Sequence, residues 1–193
     1  MNLITNRCLG GYIYRDILKE RYENPFIWTG IWDEYFNILF ENYDSINFKN
    51  FKVCYDENHP VEKYYILIDN VIRVNYGHIL LDPNAITPTP KDVNIYTNDP
   101  MKYVKEKYIE RLERMTKPPT FIYMDLDYSN NYELTDIALK KKQKLNILTV
   151  DEKFPTNEFI NKQVIVKQDW TKIVWWQYLY NNYNKEINNL LKF

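Results

Sequence analysis

Residues 121–150, FIYMDLDYSNNYELTDIALKKKQKLNILTV, decide the fold of this chain. The stretch opens with the apolar run 121–124 and closes with the apolar run 145–150, each of the length and composition of a buried strand. Residues 132–142, between them, are predicted to form a helix. A strand, a helix and a second strand in this order indicate a crossover connection, which joins neighbouring strands of a parallel sheet.

The sequence on either side continues this alternation. Strands are predicted at 3–5, 48–55, 64–68, 71–74 and 164–166, and helices at 10–18, 31–42, 99–115 and 170–191. Asp69 and Asn70 indicate a tight turn between two of the strands, and Asp99 followed by Pro100 indicates the beginning of a helix. We therefore predict one α/β domain over residues 1–193, with a mixed sheet and helices packed on both of its faces.

The composition is that of a folded globular protein. Hydrophobic residues make up 45% of the 193 residues and charged residues 26%. The formal net charge of -1 provides no global field that would attract nucleic acid, so nucleic acid is not an expected partner. The sequence begins without a signal-like segment and has no run of about 18 apolar residues, so we expect a cytoplasmic protein without an integral membrane segment.

Cysteine and histidine are too few for a structural metal site. The chain has Cys8 and Cys54, without CxxC spacing, together with His59 and His78. This set favours neither a disulfide framework nor a zinc knuckle, and we expect no bound metal and no cofactor. The 18 tyrosines against 4 glycines are compatible with a groove for sugars or bases, or with a half-buried surface. Because Asn, Lys and Ile are abundant as well, we favour a third explanation, the codon bias of an A+T-rich genome.

Cys8 lies at the junction between the first predicted strand and the first predicted helix. At such a junction the sulfur is near unpaired backbone N–H groups and the positive end of the helix dipole, which favour the thiolate over the thiol. Gly10 and Gly11 would let a substrate approach the backbone closely. The alternative interpretation of Cys8 is a small buried hydrophobic residue.

A cysteine nucleophile needs a base, and the base needs an orienting group. Residues 76–81 could continue the sheet beyond the strand 71–74, and His78, at the end of that strand beside Gly77, is the candidate base. Asp125 and Asp127 follow the strand 121–124, and catalytic groups collect at the carboxyl ends of strands in an open α/β sheet. The same two carboxylates could instead hold Mg²⁺ or Mn²⁺ beside a nucleotide-sugar phosphate.

Arg111 and Arg114 follow Tyr108 on one face of the predicted helix 99–115. Two arginines at this spacing can bind a carboxylate or a phosphate in a forked geometry. The alternative is an exposed helix face on which Glu110 and Glu113 pair with them.

Together, these residues resemble two groups of proteins. The first is a bacterial family labelled exopolysaccharide biosynthesis protein, in which an Asn-x-Cys-x-Gly-Gly segment and a nearby Tyr-Arg precede a histidine-bearing strand and a Trp-x-x-Arg-x-x-Arg helix. The counterparts here are residues 6–11, Tyr14 with Arg15, His78, and Tyr108 with Arg111 and Arg114. The second comprises papain-like cysteine peptidases, whose early cysteine and Pro-Phe-Asp-Trp segment are similar to Cys8 and residues 25–28.

The resemblance implies a cysteine chemistry, a setting in surface polysaccharide biosynthesis, and a papain-like α+β fold as the alternative architecture. Two positions depart from the patterns. Ile27 stands where the second group has an acidic residue, so any orienting role of that carboxylate is missing here. Tyr108 stands where the first family has tryptophan.

The leading hypothesis is a cysteine-dependent hydrolase or acyl transferase acting on a small-molecule, glycan or peptide substrate. Its catalytic residues are Cys8, His78 and Asp125 or Asp127, and its substrate-binding residues are Gly10, Gly11, Arg15, Trp28, Arg111 and Arg114. A glycosyltransferase-like or carbohydrate-binding protein that uses Asp125 and Asp127 is the alternative. A third hypothesis is a noncatalytic module that associates, as in a homodimer, through its aromatic C-terminal helix.

Overall fold

The computed structural model describes residues 1–19, 24–59, 63–76, 99–127, 131–169 and 175–192. By its internal contacts the chain divides into two compact units, Met1–Pro119 and Thr120–Phe193. The described residues form a parallel sheet, an antiparallel sheet and helices, so the predicted α/β class is confirmed.

The first unit holds the antiparallel sheet. Its elements are β1 (Asn2–Thr5), α1 (Leu9–Tyr12) continuing as a π-helix (Ile13–Leu18), α2 (Asp33–Asn42), β2 (Phe51–Tyr55), β3 (Tyr64–Ile68), β4 (Ile72–Asn75) and α3 (Pro100–Glu113). Strand β3 lies between β2 and β4, with Ile66 opposite both Val53 and Val74. Because side chains alternate along a strand, this row of apolar residues faces one side of the sheet.

Two local signals in the first unit act as predicted. Asp69 and Asn70 join β3 to β4 with φ values of 53° and 57°, the left-handed conformation that a tight hairpin turn requires. Asp99 caps α3, because its Oδ1 accepts a hydrogen bond of 3.0 Å from the backbone N–H of Lys102 and Pro100 occupies the first helical position.

The second unit holds the parallel sheet predicted from residues 121–150. Its elements are β5 (Pro119–Asp125), α4 (Glu133–Lys141), β6 (Leu145–Thr149), β7 (Ile160–Val164), α5 (Trp175–Asn182) and α6 (Asn184–Leu190). Strand β6 runs parallel to both β5 and β7. The connection from β5 through α4 to β6 is the predicted crossover.

Strand β7 occupies 160–164 rather than 164–166. The apolar triplet Val164-Ile165-Val166 suggested a strand, but the pairing with β6 begins at Ile160 and includes Lys162 and Gln163. Most of β7 is only half-buried, so polar side chains are tolerated there and the apolar pattern is weak.

The aromatic C-terminal segment packs as two short helices rather than one. Trp176 and Leu179 of α5 and Ile187 and Leu190 of α6 are buried, and α6 packs against β6 and β7. Among the described residues, none of the helices combines the length and the apolar character needed to cross a bilayer.

The connection 24–31 in the first unit is buried, although it belongs to no helix and to no named strand. Buried backbone N–H and C=O groups need hydrogen-bond partners. The Asn24 side chain supplies one such partner, because its Oδ1 accepts a hydrogen bond from the Phe26 N–H at 2.8 Å. Its Nδ2 donates to the Leu3 carbonyl at 2.7 Å and so links the connection to β1. The Thr29 hydroxyl donates to the Phe26 carbonyl at 2.7 Å.

Distant elements supply the remaining partners of this connection. The Tyr76 hydroxyl donates to the Pro25 carbonyl at 3.0 Å, and Arg111 Nη1 donates to the Ile27 carbonyl at 3.3 Å. The N–H and C=O groups of Gly30 pair with those of Asn75, at 2.9 and 2.8 Å. Polar side chains and one backbone bridge thus hold the connection in place.

We predict that Tyr76→Phe lowers the free energy of unfolding by about 1–3 kcal/mol, because it removes the partner of the buried Pro25 carbonyl and keeps the ring. Urea unfolding measures the change. Tyr55→Phe is the matched control, since Tyr55 is 45% exposed and its substitution should cost little. Equal unfolding free energies for the two variants would show that the Tyr76 hydroxyl does not support the connection.

A second prediction for Tyr76→Phe concerns its stability at alkaline pH. Burial raises the pKa of Tyr76 well above 10, and the nearby Tyr108 raises it further, while Arg111 lowers it. The folded protein therefore keeps this proton where the unfolded chain releases it, so the contribution to stability is complete below about pH 10 and is lost as the pH rises towards the folded pKa. The stability difference between wild type and Tyr76→Phe should shrink over that range.

Candidate cysteine site

Cys8 begins the first helix of the first unit, directly after β1. Its carbonyl accepts hydrogen bonds from the N–H groups of Gly11 and Tyr12, at 3.1 and 3.4 Å. The side chain is half-buried, and neither cysteine of the chain forms a disulfide. The predicted junction of strand and helix is therefore present at Cys8.

Gly10 and Gly11 allow close approaches within the first unit. A Cβ on Gly11 would overlap atoms Cδ2 and Cε2 of the Trp28 indole, so only glycine lets this ring lie against the helix. At Gly10, a Cβ would lie 3.1 Å from Oγ1 of Thr5, which also accepts the Gly10 N–H at 3.2 Å. The space beside the two glycines is thus used by Trp28 and Thr5.

Trp28 is held in an unusual backbone conformation, with a φ of 61°. For a bulky side chain this left-handed region is strained, and it persists only where the surroundings impose it. Here the indole packs on Gly11 and meets the Tyr12 ring edge-on, with centroids 4.7 Å apart. The buried connection 24–31 therefore places the Trp28 indole against the helix that carries Cys8.

Arg15 completes this group of side chains. Its guanidinium carbon lies 5.0 Å from the centre of the Tyr12 ring and 5.8 Å from that of Trp28, within the range of cation–π attraction. Nε and Nη2 of Arg15 also donate to the two carboxylate oxygens of Asp16, each at 2.7 Å. We call Cys8, Tyr12, Arg15 and Trp28 the cysteine cluster.

The electrostatics of the cysteine cluster act on the Tyr12 hydroxyl. Burial is the main cause that raises the pKa of Tyr12, and the negative charge of an ionised Cys8 raises it further. The Arg15 guanidinium lowers this pKa, and Asp16 raises it. Tyr12 therefore keeps its proton near neutral pH and can donate a hydrogen bond beside the thiol.

The arginine pair predicted to bind an anion has two different environments. Arg111 is only 3% exposed and donates to the Ile27 carbonyl in the buried connection. Arg114 is half-buried; its Nη2 donates to Oε1 of Glu110 at 2.8 Å and its Nε to the Glu110 carbonyl at 3.1 Å. The pairing with Glu110 that was the alternative interpretation is thus seen for Arg114, whereas Arg111 stabilises the connection 24–31.

The predicted base, His78, and its neighbour Gly77 lie outside the described residues. Asn75, three residues earlier in the sequence, is fully buried at the end of β4 and pairs with Gly30. Its Oδ1 accepts a hydrogen bond of 2.7 Å from Nε of Arg73, whose guanidinium stacks on Tyr65.

The predicted aspartates lie in the second unit and differ in exposure. Asp125, the last residue of β5, is 1% exposed and its Oδ2 accepts from the Thr149 hydroxyl at 3.2 Å. Asp127 is exposed. Within the described ranges of the chain, no group of three or more His, Cys, Asp or Glu side chains is arranged to hold a metal ion.

A hydrogen-bond network surrounds Asp125 at the carboxyl ends of β5 and β6. The Thr149 hydroxyl accepts the Asp151 N–H at 2.9 Å, and the Tyr132 hydroxyl donates to Oδ2 of Asp151 at 2.8 Å. This last bond is the main cause that lowers the pKa of Asp151 and raises that of Tyr132. We call Asp125, Tyr132, Thr149 and Asp151 the acidic edge.

Tyr12, Thr149 and Asp151 were missed by the sequence analysis, although signals for them existed. Tyr12 stands four residues after Cys8, the spacing that puts two side chains on one helix face. Thr149 and Asp151 stand at the end of the next strand after Asp125, where a parallel sheet brings strand ends together.

Comparisons with protein families and curated proteins identified no relative of this chain. No protein-family model matches the chain, and no curated protein matches it. The resemblance to exopolysaccharide biosynthesis proteins and papain-like peptidases stays a prediction from short motifs.

We predict that Gly11→Ala destabilises the protein by about 1–3 kcal/mol and changes the tryptophan fluorescence, because the added methyl group displaces Trp28. Gly10→Ala is the matched control on the same helix. Its methyl group meets only a threonine side chain, and the better helix propensity of alanine, worth about 1 kcal/mol, offsets the crowding. If both variants unfold at the same urea concentration, Trp28 does not depend on the missing Cβ of Gly11.

Proposed function

We propose that this protein is a cysteine-dependent hydrolase or acyl transferase in which Cys8 is the nucleophile. The observation that supports it is the cysteine cluster, where a half-buried thiol shares a helix with a protonated phenol and a guanidinium. A cation near a thiol favours the thiolate, and in this proposal the Arg15 guanidinium, which lies over the Tyr12 ring, supplies that charge. The thiolate is the reactive form of cysteine. Tyr12, Arg15 and Trp28 are in addition held by ring packing.

The proposed reaction proceeds in two steps. His78 takes the proton of the Cys8 thiol, and the sulfur attacks the carbonyl carbon of an acyl group, so that a C–S bond forms. The bond to the leaving group breaks, and the leaving atom receives the proton from His78. In the second step, water in a hydrolase, or a hydroxyl or amine in a transferase, attacks the thioester carbon and gives a proton to His78. The C–S bond breaks, and the Cys8 sulfur receives that proton from His78.

The other sequence predictions enter this proposal with defined roles. Asp125 or Asp127 orients the His78 imidazole, and Arg15 and Trp28 line the substrate site with Gly10 and Gly11. Arg111 was predicted to bind an anionic substrate, but its guanidinium already donates a hydrogen bond to the Ile27 carbonyl. In this proposal the protein acts in the cytoplasm on a small-molecule, glycan or peptide substrate, in surface or exopolysaccharide biosynthesis.

We predict that p-nitrophenyl acetate acetylates Cys8 at neutral pH well before Cys54. The reason is that a thiol served by a base is substantially ionised there, whereas an isolated thiol is ionised only slightly. Peptide mass spectrometry of the full chain locates the acetyl group, and release of p-nitrophenolate gives the rate. Cys8→Ala should abolish the fast phase, and His78→Ala should slow it.

Cys54→Ala is the matched control, because Cys54 is also half-buried and lies in the same unit. It should leave the fast phase unchanged. Acetylation of both cysteines at one common slow rate, insensitive to His78→Ala, would contradict the proposal.

A second candidate function is carbohydrate binding or glycosyl transfer at the acidic edge. It is favoured by carboxylates at the carboxyl ends of parallel strands, where α/β proteins bind ligands, beside an aromatic ring of Tyr132 that is 39% exposed. An exposed aromatic face next to hydrogen-bonding carboxylates suits a sugar ring.

Isothermal titration with a nucleotide sugar, with and without Mn²⁺, tests the second candidate. We expect binding that Asp125→Ala or Asp127→Ala abolishes and Cys8→Ala leaves unchanged. Absence of heat with the wild-type chain, with or without the metal ion, would eliminate this function for the probe used.

A further inference from the structure

Cys8, Tyr12 and Arg15 occupy positions i, i+4 and i+7 of one continuous helical segment. Side chains four residues apart on a helix are neighbours. The Tyr12 N–H donates to the Cys8 carbonyl, which fixes one helical turn between the two residues. At the other end, the Arg15 guanidinium lies against the Tyr12 ring.

The Tyr12 ring is held by packing on two sides. The edge-on contact with Trp28 holds it on one side, and Arg15 packs over its face. Trp28 is itself 3% exposed and fixed by the buried connection 24–31. The hydroxyl at the tip of the ring is therefore directed by packing rather than by a search through many rotamers.

We propose that Tyr12 is a positioning residue whose hydroxyl donates a hydrogen bond to the Cys8 sulfur when the sulfur carries negative charge. The inference rests on the proposed function, since it concerns the state in which Cys8 attacks. In this arrangement the thiol proton goes to the base, the phenol keeps its own proton, and the negative charge on sulfur is stabilised through the O–H bond.

The charged groups that act on Tyr12 are Arg15 and Asp16 on the same helical segment, together with Cys8 itself. Arg15 and Asp16 form an ion pair, so their opposite effects on the pKa of Tyr12 partly cancel. Trp28, which meets the ring from the connection 24–31, carries no charge. The hydrogen bond from Tyr12 is thus the direct contact through which the phenol stabilises the thiolate.

The test is the pH profile of alkylation of Cys8 by iodoacetamide in the full chain, with Cys54 as internal reference. For Tyr12→Phe we expect alkylation of Cys8 at neutral pH to be about tenfold slower, equivalent to a rise of one unit in the thiol pKa, with an unchanged plateau at alkaline pH. Phenylalanine keeps the ring that packs on Trp28 and Arg15. An unchanged profile would overturn the inference.

Tyr14→Phe is the control, because it removes another buried hydroxyl from the same helical segment, one that donates to the Met1 carbonyl. It should leave the Cys8 profile as it is in the wild type. A shift as large as that of Tyr12→Phe would mean that the profile reports helix stability and would also overturn the inference.

A reciprocal measurement does not depend on the Tyr12 variant folding well. Nuclear magnetic resonance of ¹³C-labelled tyrosine follows the titration of Tyr12, whose pKa should fall in Cys8→Ala because the neighbouring thiolate is gone. No change there would count against the contact.

The outcomes for the inference and for the proposed function are distinct. If Cys8 of the wild type is alkylated no faster than Cys54, the proposed function fails. If Cys8 is fast and Tyr12→Phe does not slow it, the nucleophile stands and Tyr12 has no part in it.

Discussion

A stretch of irregular backbone buried inside the first unit is the constraint on which the cysteine cluster depends. Residues 24–31 bury peptide groups that helices and sheets would normally pair. Each unpaired group would cost about 1–3 kcal/mol. Asn24, Thr29, Tyr76 and Arg111 remove that cost with hydrogen bonds of 2.7–3.3 Å. The connection is thus fixed by specific hydrogen bonds although it belongs to no regular element.

One ring of this connection, the indole of Trp28, contacts Tyr12 and Arg15 of the cysteine cluster. Trp28 belongs to the buried stretch, and its indole packs against the helix of Cys8. There Gly11 leaves space for the ring, and Tyr12 and Arg15 pack on it. The strained φ of 61° at Trp28 is compensated by these contacts. Hydrogen bonds within a connection that belongs to no regular element therefore fix the aromatic side chains of the cysteine cluster.

Local signals predicted most of the fold, and long-range pairings account for the rest. Asp69 with Asn70 and the cap at Asp99 depend on neighbours within a few residues, so the sequence reveals them. Arg111 looked like half of an exposed anion site, because nothing in its own helix indicates a carbonyl 84 positions away in the chain. The junction at Cys8 was predictable for the local reason, whereas the packing of Trp28 was not.

The wide helical turn over Ile13–Leu18 has a consequence for how such a chain can vary. A π-helix closes each hydrogen-bonded turn with one residue more than an α-helix. Removing one residue there would restore the tighter winding and rotate everything beyond it by about 100° around the axis. Arg15 would then swing off the Tyr12 ring while Cys8 stayed in place. Length variation at this one turn would therefore change which side chain lies against the Tyr12 ring.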